Sequence, residues 1–219
     1  MNGARGIEVV CFDWGGVILK HCRSWREACD AAGLPAHAAV EAAEMVEARR
    51  RLSQAYQRGH IDERAFFEGL VEATGRLYTP EELVRLHDAW LIAEYDGVAG
   101  VITRLHDRDR ARTALLSNTN ASHWRRHSPV DGRPADFPTA ATLGVMHASH
   151  LLGCAKPDAE IYRAFEERIG ARGPAVLFFD DLPDNIEAAK RLGWQTVLID
   201  HTGDTARQIG DALVERGLL

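Results

Sequence analysis

A chain of 219 residues, 46% hydrophobic and 26% charged, has the composition of a globular protein, either one large domain or a core carrying an insertion. Its net charge of −6 excludes a dedicated nucleic-acid binder, which needs a basic face to compete for phosphates. The opening residues Met1-Asn2-Gly3-Ala4-Arg5-Gly6 lack an apolar signal stretch, and the apolar run after them is too short for a bilayer. A cytoplasmic protein without a membrane partner is therefore expected. The four cysteines, Cys11, Cys22, Cys29 and Cys154, show no metal-binding spacing and read as reduced thiols.

The first element is the apolar run Val9-Val10-Cys11-Phe12, read as a buried parallel strand. It delivers a carboxylate, Asp13, at its C-terminal end. Gly15 and Gly16 follow, where backbone can approach a ligand closely or take positive φ. Ligands of open α/β sheets sit beyond the carboxyl ends of the strands, so Asp13 stands where chemistry takes place.

From about Arg23 to Leu91 the pattern is helical throughout. Helices are expected over Ser24 to Ala32, ending at Gly33, and over Ala36 to Tyr56, ending near Gly59. A third starts at the N-cap Asp62. A fourth starts at Thr79-Pro80-Glu81-Glu82, a capping box with proline in the first turn. Such a block, inserted just after the first strand, sits where a lid would. Within it Glu41, Glu44 and Glu47, with Arg49, Arg50 and Arg51, read as a charged solvent face.

Beyond the block, strands alternate with helices. Thr113-Ala114-Leu115-Leu116 ends in Ser117-Asn118-Thr119-Asn120, and the stretch from Ser128 to Pro138 reads as a surface loop. A helix from Asp158 to Gly170 follows Lys156-Pro157. Ala175-Val176-Leu177-Phe178-Phe179 ends in Asp180-Asp181, and a helix from Pro183 to Leu192 stops at Gly193. A last strand, Trp194 to Ile199, ends in Asp200-His201. This alternation predicts an α/β fold: a Rossmann-like, doubly wound parallel sheet with an inserted α-helical cap. The core is assigned to residues 1–20 and 92–219, the cap to 21–91.

The polar strand ends form one set. Asp13 suits a nucleophile or metal ligand. Ser117 and Asn118 offer a hydroxyl and an amide beside the start of the next helix, an anion site. Lys156 offers a compact positive charge. Asp180 and Asp181 end another strand, and carboxylates on separate strand tips suit Mg²⁺. His123 and His127, spaced four apart, could bind a metal, but without an acidic partner nearby they read as a solvated helix face; His147 and His150 are equally unsupported.

In this order, Phe12-Asp13-Trp14-Gly15-Gly16-Val17, Leu115-Leu116-Ser117-Asn118-Thr119, Cys154-Ala155-Lys156-Pro157 and Phe178-Phe179-Asp180-Asp181-Leu182-Pro183-Asp184-Asn185 resemble the haloacid dehalogenase superfamily. The resemblance runs from about Ile7 to Asp200. Within the superfamily the chain looks like the bacterial sugar-phosphatase branch that includes α-glucose-1-phosphate phosphatase.

The resemblance implies a phosphatase acting through an aspartyl-phosphate on Asp13. Mg²⁺ would be held by Asp13, the carbonyl of Gly15 and Asp181. Ser117 and Asn118 would hold the phosphoryl group and Lys156 would neutralise it, with Asp180 and Asn185 behind them. The implied partner is a small phosphorylated metabolite, a sugar phosphate or another phosphomonoester, and the implied assembly a monomer or homodimer. One position departs from the pattern. Most phosphatases of this superfamily carry a second Asp two residues after the nucleophile as general acid; here Gly15 stands there. That implies a good leaving group, another acid such as His21, or a halide leaving group as in haloacid dehalogenases. A catalytically weak binding protein is the remaining alternative.

Overall fold

The computed structural model describes residues 6–219, so the leader reading at residues 1–5 lies outside the described residues. The chain opens with β1 (Val9–Phe12) and β2 (Leu19–His21). The helices α1 (Trp25–Ala32), α2 (Ala43–Gln57), α3 (Glu63–Ala73) and α4 (Pro80–Ala89) follow. Next come β3 (Leu91–Glu94), α5 (Val98–Arg108), β4 (Arg112–Ser117) and the single turn α6 (Ala121–Trp124). The remainder is β5 (Val145–Ala148), α7 (Ser149–Leu152), α8 (Ala159–Ile169), β6 (Val176–Asp180), α9 (Pro183–Arg191), β7 (Gln195–Leu198) and α10 (Thr205–Glu215).

Five parallel strands in the order β5-β4-β1-β6-β7 make the main sheet. Alternation along each strand sends side chains to opposite faces. Val10, Phe12, Leu115, Leu177 and Phe179 meet Ile102 and Leu105 of α5 and Ile209 and Leu213 of α10. Val9, Cys11, Leu116 and Phe178 meet Ile161 and Phe165 of α8 and Ile186 and Ala189 of α9. Both faces are covered, which is why these strands read as near-continuous apolar runs. The chain moves from β1 to β4 and β5, then recrosses to β6 and β7. The tip of β1 therefore lies where strand order reverses, the position that makes a crevice for ligands.

The helices α1 to α4 bury a separate apolar cluster that includes Cys29, Val40, Tyr56, Phe66, Leu70, Leu83 and Leu86. Their starts are capped as the sequence predicts. Asp62 accepts from Ala65 N at 2.8 Å, and Thr79 and Glu82 form the full capping box. The antiparallel pair β2–β3 brackets the block and ties it to the core.

Three features differ from the sequence reading. The helix expected from Ala36 to Tyr56 is interrupted: a 3₁₀ turn at Ala38–Glu41 and the extended ψ of 136° at Ala42 precede α2. Arg49 Nη1 donates to Val40 O at 2.6 Å, supplying a partner for a carbonyl in that turn. The edge strand β5 and the pair β2–β3 are additional. Their segments are three or four residues long, and only pairing with distant chain makes them strands.

Candidate active site

Three strand tips converge on Lys156. Its ammonium lies 2.9 Å from Asp13 Oδ1 after β1, 2.7 Å from Asp180 Oδ2 of β6, and 2.9 Å from Leu116 O of β4. All three of its protons are thereby engaged, and the side chain has no exposure. Burial works against the charge, but the carboxylates of Asp13 and Asp180 outweigh it and hold the ammonium above its ordinary range.

Asp13 Oδ1 also accepts from Trp14 N at 2.7 Å. Asp13 Oδ2 carries no hydrogen bond among the described residues and lines a cavity between the strand tips and α1–α4. Burial pushes this carboxyl up to about 7, Lys156 works against the rise, and the carboxylates of Asp180 and Asp181 add to it. Two cations face these three acidic groups, Lys156 between Asp13 and Asp180 and Arg23 beside Asp181.

The two neighbouring aspartates are used differently. Asp180 is saturated by Lys156 Nζ, by Leu182 N at 2.8 Å and by Asn185 Nδ2 at 3.0 Å. Asp181 is not: its Oδ2 is buried without a hydrogen bond, and Arg23 Nη2, 2.7 Å away, stands out of alignment. Carboxylates from adjacent strand tips, facing one another, are the donor set a hard divalent cation takes. Oxygen atoms of Asp13, Asp180 and Asp181 lie within 4.8 Å of one another, which fits such an ion. Gly16 belongs to this geometry: φ is +78°, and a Cβ there would collide with the Asp181 carboxylate.

Ser117 is 2% exposed, and its hydroxyl makes no hydrogen bond among the described residues. Asn118 is engaged by the Lys156 backbone, with Nδ2 donating to Lys156 O at 2.8 Å and Oδ1 accepting from Lys156 N at 2.9 Å. Its side chain thus positions the lysine. The backbone and side chain just past Ser117 and Asn118 are engaged within the protein. The helix that follows is one turn long, Asn120 caps it, and Thr119 N donates to Ser149 Oγ at 3.0 Å.

The most informative departure lies above Gly15. A Cβ built there would come within 2.8 Å of His21 Cδ2 and 3.0 Å of His21 Nε2. The imidazole occupies the room a side chain at position 15 would need. Its Nδ1 donates to Cys22 O at 2.9 Å, which leaves Nε2 toward Gly15. Burial, reinforced by the charge of Arg23, holds this ring below its ordinary pKa.

The cavity measures about 700 Å³ and is lined on the helical side by Trp25, Arg49, Tyr56, Phe66, Leu86, His87 and Trp90. Two sequence expectations are corrected here. His123 is buried rather than solvated; it stacks on His87 at 3.8 Å and donates from Nε2 to His87 O at 2.8 Å. Burial holds both rings well on the neutral side, His123 at about 4. Arg49 is 8% exposed and lies over the Trp25 ring at 4.5 Å, whereas Arg50 and Arg51 do pair with Glu47 at the surface. Arg23, Arg49 and the ring of His21 carry no local sequence signal, because only tertiary packing brings them to the cavity.

Comparison with known proteins agrees with this architecture. A family model described as haloacid dehalogenase-like hydrolase matches residues 7–193. The phosphatase MT3486 of Mycobacterium tuberculosis is 39% identical over 63 residues, 29% of this chain and 29% of that protein. The match thus spans less than a third of that relative. The enzyme BT-2542 of Bacteroides thetaiotaomicron superposes with a TM-score of 0.75 at 21% identity, covering 94% of this chain and 99% of that one. Its complex with magnesium and inorganic phosphate superposes at 0.69 and 21% identity, over 91% and 97% of the two chains. A 2-haloacid dehalogenase of Pseudomonas syringae gives 0.60 at 16% identity, over 95% and 99%. With the four strand-tip motifs gathered at one site and the family model covering most of its length, this chain belongs to the haloacid dehalogenase-like hydrolases.

Proposed function

We propose that the chain is a Mg²⁺-dependent phosphatase of small phosphomonoesters with good leaving groups, such as anomeric sugar, acyl or aryl phosphates. It would work in the cytoplasm, with α1–α4 as a cap over the site. One observation carries the reading: Asp13 lines the cavity with Lys156 on Oδ1 and no hydrogen bond to Oδ2 among the described residues, and Asp180 and Asp181 lie close enough to share a cation with it. Asp13 Oδ2 attacks phosphorus, the bond to the leaving oxygen breaks, and water later cleaves the aspartyl-phosphate to return Asp13 and inorganic phosphate. Ser117 Oγ donates to a phosphoryl oxygen, and Lys156 offsets charge at Asp13. A metal would be held by Asp13, the Gly15 carbonyl and Asp181, and when bound it lowers the repulsion between carboxylate and phosphoryl group. His21 Nε2 faces the position of the missing acid; as imidazolium, the form that burial makes the minor one, it would give the leaving oxygen its proton and take one back from the water that cleaves the aspartyl-phosphate.

The test is a screen of phosphomonoesters, with a 2-haloacid included, on wild type and Asp13→Asn. Phosphate release by wild type, stopped by EDTA and restored by Mg²⁺, with no release by a folded D13N, is the expected result. Metal-indifferent release of halide would replace this reading with the dehalogenase one.

A further inference from the structure

Among the cations lining the cavity, Arg49 is buried with no carboxylate at ion-pair distance among the described residues. It lies inside the run Arg49-Arg50-Arg51 on α2, yet its neighbours are exposed and paired with Glu47 while it is 8% exposed. No carboxylate lies within 4.0 Å of it among the described residues. A guanidinium carries five N–H donors, and the one protein acceptor here is Val40 O. Its guanidinium makes no other hydrogen bond among the described residues, and the residue lines the cavity. Burial disfavours its charge; Glu41, beyond ion-pair distance, and packing on Trp25 offset only part of that. A guanidinium held open toward a cavity is completed by an anionic group, which it grips through paired N–H donors.

The phosphoryl group of the substrate is not that anion. Its place is set by Asp13, Ser117 and Lys156 on the core strands, whereas the groups Arg49 contacts, Trp25 and Val40, both belong to the helical block. On the helical side the lining is chiefly rings and aliphatic side chains, Trp25, Tyr56, Phe66, Leu86 and Trp90, with Ser53 and Gln57 among them. We propose that Arg49 forms a second anion subsite, and that the substrate is a phosphomonoester whose apolar or aromatic leaving group carries a further carboxylate or phosphoryl group. This rests on the phosphatase reading and names the substrate class of that site.

Three substrates of one ring test it: phenyl phosphate, para-carboxyphenyl phosphate and para-phenylene bisphosphate, assayed on wild type, Arg49→Met and Arg49→Lys. Wild type should prefer one or both doubly charged esters by at least about tenfold in kcat/KM, mainly through KM; R49M should bring the ratio near unity. R49K, which keeps the charge without the fork, should fall between them. Which of the two esters is preferred identifies carboxylate or phosphoryl as the second anion. Equal kcat/KM for all three in wild type, or a preference that survives in R49M, overturns the subsite. If no ester is hydrolysed, the phosphatase reading has failed, and calorimetry with para-hydroxybenzoate judges the subsite by itself. Binding to wild type that is lost in R49M and partly kept in R49K supports it; absent or equal binding overturns it. Should R49M not fold, the ratio in R49K decides.

Discussion

Gly15 and His21 share one volume: a side chain on the first would stand where the ring of the second is, 2.8 Å away at Cδ2. Gly15→Asp must therefore displace the imidazole, and we expect it to slow hydrolysis of every ester rather than restore an acid. A gain in kcat for Gly15→Asp on a poor leaving group would show that the ring is dispensable. His21→Gln sharpens the point. If Nε2 protonates the leaving oxygen, the variant should lose about 10²- to 10⁴-fold on alkyl phosphates and much less on aryl phosphates, whose oxygens leave unaided. Equal losses on both would remove His21 from proton transfer. Asp13, Ser117, Asp180 and Asp181 are legible because each ends an apolar run and Lys156 because Lys-Pro precedes a helix, whereas Asn185 is reached only through the family resemblance. Arg49 is not legible, since a run of alternating charge on a helix reads the same whether its third turn faces water or Trp25.

Elements were legible wherever burial follows a period. Strands β1, β4, β6 and β7 announce themselves by apolar runs, and α3 and α4 by their caps. Strand β5 did not, because Val-Met-His-Ala at an edge has only one fully buried residue. Helix α6 meets α4 through His123 and His87, and this contact has a pH signature. Burial depresses His123 from its ordinary value to about 4, so the unfolded chain takes up a proton at a pH where the folded one does not. The stability this neutral ring allows is complete above about pH 6.5 and is lost as pH falls toward 4, on the order of 3 kcal/mol in all. His87 shifts in the same direction and adds to the loss. Denaturant titrations at several pH values should show stability falling through this window, and His123→Gln should be weaker at pH 8 but flatter below it. A slope unchanged in His123→Gln would assign the pH dependence elsewhere.

At the scale of the molecule, Arg23 meets Asp181 at the site itself, and away from it the helical block rests on the core through two kinds of polar contact whose magnitudes predict which matters. Ion pairs join Arg58 to Asp158 at 2.6 Å and Arg125 to Glu63 at 2.8 Å, all at least a quarter exposed. Exposed pairs contribute about 0–1 kcal/mol and weaken with salt. The second kind is buried. Ser149 Oγ, with no exposure, accepts from Thr119 N and faces both Gln57 O of α2 and Thr119 O; Tyr56 reaches Ser122 in the same way. Ser149→Ala would leave a buried donor and an acceptor without partners, which costs about 1–3 kcal/mol. Denaturation of Arg58→Ala and Ser149→Ala should therefore rank the serine well above the arginine, with only the arginine's effect shrinking in high salt. KM should follow the same order, since a loosened block no longer holds the apolar wall of the cavity over Asp13. An Arg58→Ala loss larger than that of Ser149→Ala would mean that charge, rather than buried hydroxyls, seats the block on the strand tips.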